Sequence, residues 1–556
     1  MDESVVMAND WPRPARRRWL LLVVASAVMI SPLGLVPAHA AGHPAISRAG
    51  RDASAPEGLS LPLVADGRRT WFLVGTGAVD IMPTTPVTMA AYGTYRVSTG
   101  SQPGHPLMAR SIAISSADGS MAHTVVLTEL DLQGYFIAYK EDPLGQPGYF
   151  GTDGIRAQVQ QDTGLDPEHV IVGTTHTHDS PDTIGIWGGG DDPRNEAYLA
   201  VVRAGAIKSI EEALSSRRRA TLVVGRADGR LYQDTVGQVR GNPATYPMDR
   251  MVRVLQARDQ EGRVVATLVN YAVHPTVVGQ ITTLTPDWPG EVAQDLDARY
   301  GAGTTIVAPG ALGRTWPTMP PPPAGSTWQT VLADYAQLVV GRVDAALNRV
   351  RPVIDPTVAA VGARWVQPIT NPVMLPLFYT KTAVPGVVGG LMRSDLPPYS
   401  LGAAVTTDLN AFRVGDLFLG GAPGEAYPEI QAELQARVTP PGGDVCGDPM
   451  HVFALSLTND QIGYTPTLDE YAVALDYTGD EGIFTLNPNI GDDNINAQLA
   501  NARRLGFSTG PDYNGATAGP VLPPPNQDTP APPYQDQAGP APQCPPGSDP
   551  GEGSDR

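Results

Sequence analysis

"VIVGTTHTHDSPDT", from Val170 to Thr183, is the stretch from which the rest of this 556-residue chain can be read. Its first half is apolar and β-branched, the composition of a strand, and its second half is rich in Asp, Ser and Pro, which form turns. Residues i and i+2 of a strand face the same side, so His176 and His178 are expected to project together from a strand end into a loop. A chain with nine histidines in all has set two of them one residue apart, at the kind of position where sites are built.

The same pattern, an apolar run followed by a polar residue, recurs along the chain. "TVVLTELDL" (124–132), "HVIVGTT" (169–175), "RVVATLVNYAV" (263–273), "TTIVAP" (304–309), "RVGDLFLGG" (413–421) and "HVFALSLT" (451–458) read as strands. Between them, 194–216 and 328–350 carry apolar residues at spacings of three and four, as amphipathic helices do. The expected fold is α/β, a mixed β-sheet core with flanking helices. His274 follows the 263–273 run, Glu425 follows 413–421, and Tyr464 follows 451–458. In open α/β sheets ligands bind beyond the carboxyl ends of strands, so these side chains and the His176/His178 pair are expected to converge there.

Two or three histidines with a carboxylate are the ligand set of a catalytic zinc that keeps one position open for water. Each residue also has an ordinary reading. An HxH pair is often incidental, and His274 beside Pro275 can be an imidazole satisfied by hydrogen bonds. Glu425 can be a carboxylate at the start of the helix "AYPEIQAELQARV", favoured there by the helix dipole. Tyr464 can be a buried aromatic with its hydroxyl paired.

The ends of the chain differ from its middle. Arg13, Arg16, Arg17 and Arg18 precede the apolar run "WLLLVVASAVMI", and "AHA" at 38–40 offers small residues at alternate positions. This is the layout of a cleaved secretory signal, 1–40, so the protein is expected to be exported. Residues 41–61 read as a flexible arm, 62–510 as the folded body, and 511–556, mostly Pro, Gly, Asp and Gln, as a disordered tail. The mature chain carries 34 basic and 54 acidic residues, a net charge of −20. That balance disfavours nucleic acid and anionic membranes and leaves neutral or zwitterionic substrates and surfaces open. In an exported chain Cys446 and Cys544 can pair or stay free.

Six stretches occur in an order that resembles one family. "VGTGAVDIMP" (74–83), "HPLMARSIAI" (105–114), "VIVGTTHTHDSP" (170–181), "YAVHPTVVG" (271–279), "LFLGGAPGE" (417–425) and "NDQIGYTPTLDEY" (459–471) resemble the N-terminal catalytic domain of the neutral/alkaline ceramidases. The resemblance implies a zinc amidase that cleaves the N-acyl bond of ceramide or a related N-acyl lipid. It makes His176 and His274 the nitrogen ligands of Zn2+, with Glu425 and Tyr464 supplying oxygen. It sets His178 beside the metal as a hydrogen-bonding or acid/base group, and Tyr477 near the scissile amide. Zinc lowers the pKa of bound water towards about 7 and polarises a carbonyl, which suits amide hydrolysis at neutral pH.

The chain departs from that family in two places. A family serine with an assigned catalytic role falls at Gly313 in "VAPGALGRTWP" (307–317), and glycine offers no nucleophile. Arg314 after it reads as a surface turn residue, or as a group for a carboxylate or phosphate. The Pro-rich C-terminus does not have the composition of the immunoglobulin-like domain those enzymes carry. The run 371–399 is apolar with Pro and Gly punctuation and reads as a lid, a lipid-facing loop or a buried connection. The sequence thus supports an exported zinc hydrolase of N-acyl lipids. It also allows a hydrolase of the same fold acting on another amide or an ester, and a non-catalytic extracellular binding protein.

Overall fold

The computed structural model describes residues 70–139, 149–229, 233–235, 248–319, 322–372, 374, 404–441, 443, 450–471, 484–515 and 521–522. The expected signal peptide and arm, Tyr477, Cys446, Cys544 and residues 375–399 lie outside them. Of the Pro-rich C-terminal stretch, Val521–Leu522 pairs with Trp365 and Arg364 at a sheet edge, and the carbonyl of Pro511 accepts from Arg437 at 3.0 Å.

Two sheets form the centre. The larger contains β1 (Phe72–Asp80), β2 (Met108–Ser116), β3 (Thr124–Leu130), β4 (Val170–Thr174), β5 (Arg218–Asp228), β6 (Met251–Arg258), β7 (Val264–Tyr271) and β8 (Thr305–Pro309). Their order is β8-β7-β6-β5-β1-β2-β3-β4. The ladders are antiparallel except β3–β4 and β7–β8. A parallel pair needs a long crossover. The helix α1 (Thr152–Thr163) supplies it between β3 and β4, α2 (Pro193–Ser215) runs from β4 to β5, and α3 (Asp287–Tyr300) supplies it between β7 and β8. The helix α4 (Trp328–Leu347) follows.

The second sheet contains β9 (Val358–Pro368), β10 (Ala404–Val414) and β11 (Leu417–Gly421). The short β12 (Glu425–Ala426) lies outside it; β13 (Val452–Leu455) closes it in parallel beside β11. The run 413–421, expected as one strand, is the turn of a hairpin. Val414 pairs with Leu417 across Gly415 and Asp416, and Gly415 has φ +64°, the conformation that lets a two-residue turn reverse the chain. The helices α5 (Pro428–Arg437) and α6 (Ile490–Arg504) cover this sheet.

The result is four layers, helix, sheet, sheet, helix. Phe72, Leu127 and Leu268 meet Phe412, Leu419 and Phe453 between the sheets. Ala206, Ile210 and Ala213 of α2 pack on Ala109, Ala113 and Val126, while Ile430 of α5 and Leu499 of α6 pack with Phe418 of the second sheet. Each fully buried Leu, Ile or Phe contributes roughly 1.5–3 kcal/mol.

Two features bring distant strand ends together. The larger sheet coils, so that Arg110 of β2 reaches Asp297 of α3 at 2.7 Å and the carbonyl of Thr305 on β8 at 3.3 Å. The chain leaving β13 is then tied to both ends of that sheet. The Ser456 amide donates to the carbonyl of Pro309, the last residue of β8, at 3.0 Å and the Asn459 amide to that of Val172 of β4 at 2.7 Å. The carboxyl ends of β4, β7 and β11 therefore open on one place. Among the described residues no helix is long and apolar enough to cross a membrane.

Candidate metal centre

His176 leaves the end of β4 in the left-handed region, with φ +68°. A non-glycine residue holds that conformation only where its surroundings enforce it. Here the His176 amide donates to the Leu132 carbonyl at 2.9 Å, and its Nδ1 meets the Gln133 carbonyl at 2.6 Å. Both acceptors lie just past β3, the parallel neighbour of β4. His176 and His178 are thus not two positions of one strand, as the alternation rule suggested. The turn, rather than the pleat, aims their rings at each other, with centroids 4.9 Å apart.

His274 follows β7 and is fully buried. Its amide and its Nδ1 both meet the Thr315 carbonyl, at 3.0 and 2.8 Å. Trp316 stacks on its ring at 4.7 Å and 14°. Glu425 opens β12, and its amide donates to the Gly463 carbonyl at 2.9 Å. Tyr464, in β14 (Tyr464–Thr465), lies directly opposite Glu425 in a parallel pair, with its ring edge-on to Tyr427 at 6.5 Å.

The reactive atoms converge. His274 Nε2 lies 3.2 Å from Glu425 Oε2 and His176 Nε2 3.4 Å from the same oxygen; His178 Nε2 lies 3.3 Å from His176 Nε2. Tetrahedral ligands 2.0–2.1 Å from zinc stand about 3.3 Å from one another. The donor set therefore fits a small divalent ion in size as well as in kind, and the three histidines form a group able to hold one.

Two histidines are tied differently from the third. His176 and His274 each direct Nδ1 at a backbone carbonyl, which puts the proton on Nδ1 and leaves the Nε2 lone pair facing the cluster. His178 Nδ1 is buried with no partner. Its only ring contact by hydrogen bond is from Nε2 to His176 Nε2, with no carbonyl to fix it, as suits a group that exchanges a proton.

The electrostatics agree. Burial by itself raises the Glu425 carboxyl, but positive charge and hydrogen-bond donors at the Nε2 atoms of His176 and His274 outweigh it and hold it far below the carboxylate range; with those nitrogens unprotonated, a cation bound there would supply that charge. Burial, reinforced by His176 and His274, pushes His178 well below the usual imidazole value, and burial also lowers His274. Those two imidazoles are neutral at pH 7.

Several residues of the site are not singled out by the sequence. Gln461 donates to Glu425 Oε1 at 3.1 Å, leaving Oε2 to the cluster; it sits inside "NDQIGYTPTLDEY", but nothing marks glutamine there as a carboxylate holder. Arg96 bonds the His178 carbonyl at 3.0 Å and Asp179 at 2.8 Å, from a short strand, Arg96–Val97, that no motif of the sequence marks. Arg314 is not the surface residue its turn suggested. It is buried, pairs with Glu470 at 2.6 Å and more closely with Glu429, and lies over the Tyr427 ring. Gly313 has a steric reason: a Cβ there would stand 2.5 Å from Tyr427 Cδ1 and 2.8 Å from the Glu425 carbonyl.

No protein-family model matches the sequence, and no curated protein does. Among solved structures, neutral ceramidase from Pseudomonas aeruginosa aligns with a TM-score of 0.60 at 16% identity, over 79% of this chain and 75% of that one. A ceramidase complexed with C2 aligns at 0.59 and 17%, over 81% and 77%. At such identity the likeness speaks for the fold. With its converging histidines and glutamate at the strand ends, this chain has the fold of the neutral ceramidases.

Proposed function

We propose that this protein is a zinc-dependent amidohydrolase that cleaves the N-acyl bond of ceramide or a related N-acyl lipid. The observation that carries the reading is the cluster itself. Nε2 of His176 and of His274 stand 3.4 and 3.2 Å from Glu425 Oε2, and both rings are locked through Nδ1 in the tautomer a metal requires. The ceramidases of like fold supply the substrate class. In this reading His176, His274 and Glu425 hold the ion, with Tyr464, beside Glu425 in register, as a further oxygen ligand.

When bound, zinc supplies a coordinated water of lowered pKa and a Lewis acid for the amide carbonyl. His178, neutral and with a free Nδ1, takes a proton from the attacking water and returns it to the leaving amine. Gln461 keeps Glu425 turned, and the Thr315 carbonyl keeps His274 turned. Gly313 offers no nucleophile, which excludes acyl transfer through a serine at that position and leaves direct attack by water. Tyr477 remains an expectation, as a donor to the tetrahedral oxyanion. Export through residues 1–40 and brief contact with a neutral or zwitterionic membrane surface belong to the same proposal; the mature N-terminus is expected near Ala41.

Gly313 also keeps a second reading open, a hydrolase of the same fold whose substrate is another amide or an ester. The deciding experiment measures metal content and ceramide hydrolysis together, in wild type and His274→Ala. About one zinc per chain, lost with activity in the variant, is the expected result. Zinc without ceramide turnover moves the search to other acyl substrates, and absence of metal in the wild type overturns the mechanism.

A further inference from the structure

His178 is placed differently from the two histidines beside it. The rings of His176 and His274 are each fixed by a backbone carbonyl at Nδ1, whereas Nδ1 of His178 has no partner and its Nε2 faces His176 Nε2. The position of its imidazole therefore depends on the backbone to either side. There Thr177 Oγ1 donates to the Thr285 carbonyl at 2.8 Å, and the Thr285 amide donates to the Asp179 carbonyl at 3.0 Å. One residue, Thr285, grips the chain immediately before and immediately after His178.

Thr285 is itself held by a buried polar chain. The Asp287 amide donates to its Oγ1 at 3.1 Å, so the proton of that hydroxyl goes on to Gln102 Oε1 at 2.5 Å. Gln102 Nε2 in turn donates to Glu291 Oε1, and His105 Nδ1 stands 3.1 Å from the same oxygen. Thr285, Gln102, Asp287 and Glu291 are all buried. Each donor along this path meets an acceptor, which leaves the Gln102 amide and the Thr285 hydroxyl one orientation each. Asp287 and Glu291 lie one turn apart on α3, so a single rigid element anchors both ends of the chain. Burying such groups costs desolvation, and a fully connected network returns that cost as a fixed geometry. The bonds of Thr285 and Gln102 run to the His178 loop and to α3, not to His176, His274 or Glu425.

We propose that Gln102 and Glu291 are positioning residues for His178, acting through Thr285 to hold the 177–179 backbone where the His178 imidazole can exchange a proton with the attacking water. The inference rests on the amidohydrolase reading and deepens it. Proton transfer needs its heavy atoms within hydrogen-bond reach, and a displacement of about 1 Å costs on the order of a hundredfold in rate. The two locked histidines do not depend on this chain, so loosening it affects turnover and spares the metal.

The test measures zinc content, kcat and KM in wild type, Gln102→Leu, Glu291→Ala and Glu291→Gln. Gln102→Leu and Glu291→Ala are expected to keep their zinc and a KM within about twofold, and to lose kcat about tenfold. Glu291→Gln still accepts from Gln102 and is expected to retain most of the wild-type kcat. In a His178→Ala background Gln102→Leu is expected to cost nothing further, because the group it acts through is gone. Thr285→Val, which removes the hydroxyl and keeps the backbone bonds, takes the place of Gln102→Leu if that variant does not fold. NMR of histidine-labelled, zinc-loaded protein follows the ring itself, and the His178 signal is expected to move in Gln102→Leu and to stay in Glu291→Gln. An unchanged kcat in Gln102→Leu, loss of its zinc, or a tenfold loss that persists in the His178→Ala background overturns the positioning role and leaves the hydrolase reading intact. A His178 signal that moves as expected in a protein whose wild type cleaves no acyl substrate keeps the positioning and removes the hydrolase. No turnover together with an unmoved signal removes both.

Discussion

At the scale of single residues, the three histidines divide by what their Nδ1 atoms meet. His176 and His274 are tied to carbonyls and His178 is not, so His178→Ala is expected to keep its zinc while kcat falls about a hundredfold or more. Zinc content and single-turnover rates on the same preparation check this, and loss of the metal would make His178 a ligand. Gly313 makes the opposite kind of prediction. Gly313→Ser puts atoms into a space already held by Tyr427 and the carbonyls of Glu425 and Ala426. It is expected to destabilise the protein by about 1–3 kcal/mol, displace Glu425 and weaken zinc binding, rather than gain an acyl-enzyme. A covalent acyl intermediate in that variant, seen by intact mass, would contradict it.

At the scale of elements, the segment between β8 and α4 works as a bracket. Its Thr315 carbonyl holds His274, its Gly313 amide donates to the Ala426 carbonyl at 2.7 Å, and its Arg314 pairs with Glu429 on α5 and with Glu470. Arg314→Ala leaves two carboxylates without their cation in a buried place and is expected to cost roughly 3–5 kcal/mol in urea unfolding. A loss below about 1 kcal/mol would mean the triad is solvated. The strand runs 124–132, 169–175, 263–273 and 304–309 were legible because β-branched, apolar residues bounded by turn formers have few other uses. β1, interrupted at its centre by Gly75, Thr76 and Gly77, and β9, interrupted by Gly362, Arg364 and Gln367, gave no such signal. Their places are set by pairing with neighbours distant in sequence.

At the scale of the whole molecule, the zinc reading links folding, protonation and metal binding. His178 and His274 lie below the ordinary 6.5 because burial disfavours their charged forms, and Glu425 lies low because the neighbouring imidazoles favour its charge over the cost of burial. In each case the fold prefers the proton-free form. Its contribution is complete above the ordinary value, about pH 6.5 for the histidines, and is lost as pH falls through the lowered values. Zinc content and melting temperature are therefore expected to hold from pH 8 to about pH 6.5 and to fall together below it. Chelation at pH 7.5 is expected to lower stability by about 3 kcal/mol relative to protein with free zinc a hundredfold above Kd, reversibly on adding zinc back. Release of metal already above pH 7 would contradict the neutral-imidazole assignment. By itself the sequence pointed to the α/β class and to five side chains at the ends of four strand runs, because local periodicity and turn chemistry are written in consecutive residues. That those ends meet, that His176 turns through a left-handed conformation to face His178, and that Arg314 is buried between two glutamates were decided only by the tertiary structure. Each depends on atoms from segments tens to hundreds of residues apart, brought together by the coiling of one sheet and its packing on another.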